Sequence, residues 1–145
     1  MRSLRGATKI SFSNSSSVTI NAEPFVPAKH KLFYYDKKYL LRIDNKAFFG
    51  DYGKVPKTAI ANVTVVIGGD TIAIPREAYA DLFNPVFTYN EAGVNKSHNS
   101  VYLSADGKKI YIYMLKPETG GSYEVTWVIQ DKKYVRRVVD FGFLK

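Results

Sequence analysis

The chain has 145 residues, of which 46% are hydrophobic and 23% charged, and it carries no cysteine and a net charge of +8. This length fits one domain, residues 1–145, which can bury about 68–70% of the surface that its unfolded chain exposes. The composition excludes a disordered chain, and the lack of cysteine excludes disulfide scaffolds, thiol nucleophiles and cysteine-ligated metal sites.

The first 17 residues contain arginine, lysine and serine but no acidic side chain, which resembles the composition of an organellar transit segment. Polar and apolar residues nevertheless alternate over residues 9–12 and 18–20, and this alternation favours an ordered start to the domain. No stretch approaches the ~20 apolar residues that a membrane-spanning helix needs. A secreted or cell-envelope setting for a mature chain is one interpretation, and the compartment stays open.

Alternation with period two, broken by turn residues at short intervals, is typical of antiparallel sandwiches and barrels. It predicts ten strands, at residues 7–12, 17–21, 31–35, 39–43, 60–67, 71–74, 100–104, 109–115, 122–130 and 133–140. One short helix is expected near residues 76–83, because Pro75 suits its start and Pro85 stops it. Residues 84–99 are expected to be irregular. The predicted fold is mainly β: an antiparallel sandwich or partly open barrel with one short helix.

The clearest hairpin covers residues 63–74, where β-branched residues alternate on both sides of a glycine pair. Glycine supplies the positive φ that a tight hairpin turn requires. The expected loop is Gly69-Asp70, which places Val65 opposite Ile74 and makes one face of the hairpin wholly apolar.

A short repeat links two distant parts of the chain. Residues 36–43, DKKYLLRI, match residues 131–138, DKKYVRRV, at five of eight positions. Aspartate initiates turns well and lysines solvate loop tips, so we interpret the repeat as shared turn chemistry.

Catalytic signatures are absent from the sequence. The two histidines, His30 and His98, lie in no recognised nucleophile motif, and their spacing does not suit a metal site. No cofactor-binding, metal-binding or catalytic residue is predicted. A carboxylate pair of the glycosidase type depends on distance in space rather than on spacing, so a hydrolase stays as an alternative. The candidate carboxylates are Glu77, Asp81, Glu91 and Glu124.

The C-terminal region is predicted to form a three-stranded meander with two distinct faces. One face of its first strand presents Ile110, Ile112 and Met114, and the other presents Tyr111, Tyr113 and Leu115. In the next strand Tyr123, Val125, Trp127 and Ile129 share a face.

The register of the last hairpin decides the environment of Trp127. A three-residue loop at 131–133 places Trp127 opposite Arg137, whereas a two-residue loop at 131–132 places it opposite Arg136. The first register gives the better core, so we expect Trp127 to be buried. Arg137 would then stack on Trp127 or pair with a carboxylate, and Arg136 would point outward beside Val128.

Charge and aromatic content at this end of the chain give the strongest functional signal. Residues 1–61 carry a net charge of +7, residues 62–107 carry −3, and residues 108–145 carry +4. We predict a non-catalytic recognition domain that binds a protein or an acidic polymer through its loops and this sheet. The alternative is a nucleic-acid-binding module in which tyrosines stack on bases and cations neutralise phosphates. The predicted binding residues are Lys108, Lys109, Tyr111, Tyr113, Lys132, Lys133 and Arg136.

Overall fold

Two four-stranded antiparallel sheets pack face to face in the computed structural model, which describes residues 7–13, 15–51, 53–87, 89–97, 99–117 and 121–141. The first sheet contains, in spatial order, β1 (Ala7–Ser13), β2 (Ser16–Pro24), β5 (Thr58–Ile67) and β6 (Asp70–Ala73). The second sheet contains β12 (Lys133–Phe141), β11 (Tyr123–Gln130), β10 (Lys109–Lys116) and β9 (Ser100–Leu103). Neither sheet closes into a barrel, so the predicted mainly β, antiparallel fold is confirmed as a sandwich.

Two smaller hairpins accompany the sheets: β3 (Leu32–Tyr35) pairs with β4 (Tyr39–Ile43), and β7 (Tyr89–Glu91) pairs with β8 (Val94–Lys96). The second of these lies in a stretch expected to be irregular, and its turn residues Ala92 and Gly93 both have positive φ. Within the described residues, no helix has the length and apolar character needed to cross a membrane.

The main core lies between the two sheets and follows the predicted alternation. Ile110, Ile112 and Met114 of β10 are at most 5% exposed, whereas the residues between them are only half-buried. On β11, the side chains of Tyr123, Val125, Trp127 and Ile129 are fully buried. The first sheet supplies Val18, Ile20, Ile60, Val63 and Val65 to the same core. Burial of these side chains is the main force that holds the two sheets together.

The hairpin between β5 and β6 turns at Gly68-Gly69 rather than at the predicted Gly69-Asp70. Val65 therefore lies opposite Ile72, two residues away from its expected partner. Side chains along a strand alternate with period two, so this shift keeps the apolar side chains on the same face. Gly68 has a φ of 61°, which glycine adopts without a steric penalty.

The helix expected near residues 76–83 is only a single 3-10 turn at Arg76–Ala78, and a second such turn lies at Pro27–Lys29. Backbone groups that would continue the first helix bond elsewhere: the Phe49 amide donates to the Asp81 carbonyl, and the Phe83 amide donates to the Phe49 carbonyl. Leu82 thus forms a parallel β-bridge with Phe49, and Phe83 forms an antiparallel bridge with Ala59. Local helix signals lose here to tertiary hydrogen bonds.

A second, smaller core supports the β3–β4 hairpin. Leu40 and Ile43 of β4 are buried against Phe25 and Phe83, and Leu32 packs at the margin. The Leu40 amide donates to the Gly53 carbonyl over 2.9 Å. One side of the hairpin is therefore fixed to the body of the protein.

Candidate binding surfaces

The outer face of the second sheet displays the residues of β10 and β11 that alternate with the core. At one end, two cross-strand rows meet: Lys109–Gln130–Lys133 and Tyr102–Tyr111–Val128–Arg136. These two rows, called the basic end below, contain no acidic residue. At the opposite end, Leu115, Glu124 and Asp140 form another row. The face is therefore electrostatically polarised along its strands.

Five of the seven predicted binding residues lie on this face, namely Lys109, Tyr111, Tyr113, Lys133 and Arg136. The three cations among them are exposed, and the two tyrosines are half-buried.

The other two predicted residues lie in turns. Lys108 follows the β9–β10 turn, where its amide donates to Asp106. Lys132 lies at the tip of the β11–β12 hairpin, with its Nζ 2.7 Å from the carboxylate of Asp70 on the other sheet. This ion pair also keeps the pKa of Asp70 below its usual value. Lys132 thus ties the two sheets together at an exposed edge.

Tyr113 is engaged within the protein, unlike Tyr111. Its hydroxyl donates a short hydrogen bond to the Glu124 carboxylate. Burial of the ring, this hydrogen bond and the negative charge of Glu124 all raise the pKa of Tyr113 above its ordinary value. Tyr102, which sequence reasoning missed, lies opposite Tyr111 and is 58% exposed. The aromatic pair available to a partner is therefore Tyr102 and Tyr111.

Trp127 and Arg137 lie on the inner side of the sheet, opposite each other as the three-residue loop predicts. The indole donates to the Ala78 carbonyl over 2.9 Å, and Arg137 donates to the same oxygen over 3.1 Å. The two terminal guanidinium nitrogens, Nη1 and Nη2, also donate to the Asp81 carboxylate, over 2.6 and 2.8 Å. These hydrogen bonds raise the pKa of Arg137. Of the two predicted roles for Arg137, carboxylate pairing is the one found.

The turn of this hairpin combines both registers considered from the sequence. Asp131 and Lys132 form a two-residue loop, with Ile129 opposite Tyr134, and a bulge at Val135 then restores the three-residue register. Such a bulge places two residues of one strand opposite one residue of its partner. Val128 lies opposite Arg136 on the outer face, as expected, but is only 5% exposed.

A second exposed surface, on the β3–β4 hairpin, was not predicted. Phe33, Tyr35, Tyr39 and Leu41 are 57%, 68%, 47% and 42% exposed. The signal that could have revealed it is the unbroken run Phe33-Tyr34-Tyr35, because consecutive strand residues point to opposite faces and cannot all be buried.

A polar cleft of about 400 Å³ lies between this hairpin and the 76–83 segment. Its lining includes His30, Asp44 and Arg76, with His30 Nδ1 2.7 Å from Asp44 Oδ2. Partial burial alone would raise the pKa of Asp44, but hydrogen bonds from His30 and the Lys31 amide outweigh it and lower the pKa. No Ser or Thr lies among the described residues that line the cleft, so the His30–Asp44 pair has no hydroxyl nucleophile beside it there.

The candidate carboxylates of the hydrolase alternative separate into two groups. Glu77 and Asp81 both line the cleft, where Asp81 is bonded to Arg137 through both oxygens. Glu91 instead pairs with Lys96, and Glu124 accepts from Tyr113. His98 lies outside the described residues.

Metal-binding potential and similarity to other proteins add no functional assignment. Across the described ranges, no cluster of three or more His, Asp or Glu residues is arranged to hold a metal ion. No protein-family model matches the chain, and the curated proteins and solved structures likewise contain no match.

Proposed function

We propose that this protein is a non-catalytic recognition domain that binds an acidic polymer, or the acidic surface of a protein, at the basic end of its second sheet. The observation that carries the proposal is the exposure of Lys109, Lys133 and Arg136 around Tyr102 and Tyr111, on two rows that contain no acidic residue. Cations displayed together attract polyanions and accelerate their encounter with the protein.

The polarity of the face determines how such a partner would lie. A polyanion that followed the strands would pass from the basic end over Glu124 and Asp140, whose charges repel it. A polyanion that crosses the strands contacts Lys109, Lys133 and Arg136 and avoids both carboxylates. The proposed path therefore runs from β9 to β12, perpendicular to the strands.

Nucleic acid is the second candidate partner, and one observation favours it. Tyr102 and Tyr111 are adjacent cross-strand neighbours, and Tyr102 is 58% exposed. Stacking of bases on aromatic rings is worth ~1–3 kcal/mol per base. A single strand crossing the basic end would stack on this pair while its phosphates contact the flanking cations.

The test is a titration with heparin and with single-stranded RNA, at low and at physiological salt. We compare the triple variant Lys109→Gln/Lys133→Gln/Arg136→Gln with a control, Lys29→Gln/Lys54→Gln/Lys57→Gln, which removes three exposed cations elsewhere. Both variants have a net charge of +5, because each loses three of the cations that contribute to the +8. We expect the first variant to lose about tenfold or more in affinity and to show a shallower salt dependence.

Equal losses in both variants would contradict the proposal, because binding would then depend on net charge alone. The variant Tyr102→Ser separates the two partner classes. A loss confined to RNA favours a stacking platform, whereas unchanged affinity for both polymers favours recognition of charge by the basic end.

A further inference from the structure

The β3–β4 hairpin presents a largely exposed apolar face, formed by Phe33, Tyr35, Tyr39 and Leu41. Tyr35 and Tyr39 are directly opposite each other, and Leu41 is the extra residue of a bulge beside Phe33. The opposite side of the hairpin is occupied by the smaller core. With side chains of roughly 200 Å² each, the exposed fractions amount to an apolar patch on the order of 400 Å². The largest apolar patch on a monomeric protein is commonly of this size and is often functional.

The hairpin cannot turn this face inward. Leu40 and Ile43, which alternate with the exposed residues, are 1% and 4% exposed in the smaller core. The ring of Tyr39 lies directly over Gly53, where any side chain larger than hydrogen would collide with it. The protein therefore holds the apolar face at the surface in a fixed orientation.

Cations border the apolar face. Lys37 and Lys38 lie at the tip of the hairpin, Lys31 precedes its first strand, and Arg42 lies opposite Phe33. None of these four cations is within ion-pair distance of an acidic group among the described residues. Asp36 is the single acidic residue between positions 31 and 43, so this segment carries a net charge of +3.

We propose that this hairpin binds the interface of an anionic phospholipid membrane, with its apolar face among the headgroups and its cations on the lipid phosphates. The inference goes beyond the proposed function, because it concerns a different surface and a different partner. Phenylalanine and leucine enter the acyl boundary, and tyrosine rings favour the headgroup level, where the hydroxyl stays hydrated. Basic residues beside such a face add attraction to anionic lipids.

The arrangement of charge favours a membrane over a nucleic acid at this hairpin. A strand-binding groove places cations along the path of the backbone, with rings beside them that stack on successive bases. Here Lys31, Lys37 and Lys38 lie at the two ends of the hairpin, and Arg42, opposite Phe33, is the one cation between them. Leu41 has no ring to stack on a base. In a membrane the acyl chains lie beneath the phosphates, so the apolar side chains would meet the acyl boundary while the cations contact the phosphates.

The test is co-sedimentation with vesicles of phosphatidylcholine and phosphatidylserine, with pure phosphatidylcholine vesicles in parallel. Wild-type protein is expected to bind the anionic vesicles more tightly than the neutral ones. The variant Phe33→Ser/Tyr35→Ser is expected to lose about tenfold or more in partitioning, because it removes about half of the apolar patch. The matched control Val94→Ser/Val138→Ser removes two exposed apolar side chains that belong neither to the hairpin nor to the basic end, and it is expected to bind as the wild type does.

Two results would overturn the proposal. Undiminished vesicle binding by the Phe33→Ser/Tyr35→Ser variant would show that the apolar face takes no part. Loss of RNA binding in that variant, with vesicle binding intact, would make the hairpin a nucleic-acid platform. The heparin affinity of the same variant is expected to be unchanged. Polyanion binding by the basic end is tested separately with the Lys109/Lys133/Arg136 variant, so either proposal can be rejected without the other.

Discussion

The β3–β4 and β11–β12 hairpins contain nearly the same octapeptide, residues 36–43 and 131–138, but display opposite sides of it. Leu40 is 1% exposed, whereas Val135 at the same position of the repeat is 50% exposed. Ile43 and Val138 differ in the same way, at 4% and 44%. The octapeptide therefore specifies a turn without specifying which of its residues enter the core.

The physical difference is one residue in the turn. Residues 36–38 form a three-residue loop that leaves Tyr35 opposite Tyr39, whereas Asp131 and Lys132 alone form the second loop. A one-residue change in register exchanges the two faces of a strand. The partner strand selects the register, because the inward residues of β11 fill the main core, whereas β3 contributes only the half-buried Leu32 to the smaller core. The predictions below test this contrast from the largest expected effect to the smallest.

The largest difference between the two hairpins should be the contribution to stability of the residue opposite the shared arginine. Trp127 lies opposite Arg137 and is fully buried, whereas Phe33 lies opposite Arg42 and is 57% exposed. We expect Trp127→Ala to lower the free energy of unfolding by about 3–5 kcal/mol. We expect Phe33→Ala to change it by less than about 0.5 kcal/mol. Urea denaturation measures both, and comparable losses would show that the hairpins are equally integrated into the fold.

The shared arginine itself should show the next largest contrast. Arg137→Ala leaves Asp81 without its bidentate partner and removes one of two donors to the Ala78 carbonyl. We expect a loss of about 1–3 kcal/mol in the free energy of unfolding. The matched variant Arg42→Ala, at an exposed position, is expected to remain within about 0.5 kcal/mol of the wild type. A neutral Arg137→Ala variant would contradict a structural role for the ion pair.

Alkaline pH should weaken the second sheet through Tyr113 and leave the β3–β4 hairpin unaffected. The pKa of Tyr113 is raised in the folded state, so the stabilising contribution is complete below the unfolded value of 10.0 and declines as pH rises above it. Denaturation midpoints of the wild type should therefore fall above pH 10 more steeply than those of Tyr113→Phe. Tyr35→Phe, on the exposed hairpin, serves as the control, and identical curves for all three proteins would contradict the assignment.

The smallest effect concerns the turn conformation that the two hairpins share. Asp36 and Lys37 have φ values of 58° and 63°, and Asp131 and Lys132 have 52° and 62°. Lysine is strained in this left-handed region and glycine is not. Lys37→Gly relieves about 1–2 kcal/mol of left-handed strain, and the added freedom of the unfolded chain offsets about 0.4–1 kcal/mol of that gain. We therefore expect a net stabilisation of about 0.5–1 kcal/mol in thermal denaturation. Lys132→Gly should gain less, because it also removes the ion pair with Asp70. A destabilising Lys37→Gly would contradict the turn geometry.

The sequence predicts the fold where alternation is long and unambiguous. On β10, three apolar residues alternate with two tyrosines and a leucine, and only one orientation of that strand buries a continuous apolar face. The β5–β6 turn is less determined, since Gly68, Gly69 and Asp70 permit two loops that leave the same face apolar. The prediction of a helix at 76–83 is wrong for another reason. The backbone groups of Asp81 and Phe83 bond to Phe49, which is distant in sequence, and helix propensity depends only on neighbouring residues.

The candidate surfaces are less predictable than the fold. Strand alternation places Lys109 and Tyr111 on one face. It places Arg136 there only because the bulge at Val135 compensates for the two-residue turn. The pairing of Tyr113 with Glu124 depends on the exact β10–β11 register, and that of Arg137 with Asp81 joins residues 56 positions apart. The exposure of Phe33 and Tyr35 arises because the smaller core is only large enough to bury one side of its hairpin. The run Phe33-Tyr34-Tyr35 indicates that some of these side chains are exposed, but which ones depends on tertiary packing.

The bulge at Val135 also bears on whether two molecules of this protein can pair through their edge strands. β12 forms one edge of the second sheet, and edge strands can recruit another chain through their unpaired backbone groups. Val135 and Val138 are exposed on this strand, which makes it a template for aggregation. The irregular backbone at Val135 interrupts any continuous ladder that a second molecule would add, and the neighbouring Lys133 and Arg136 repel an identical strand. A bulge and basic side chains on an edge strand are among the devices by which β-proteins avoid pairing with a second chain.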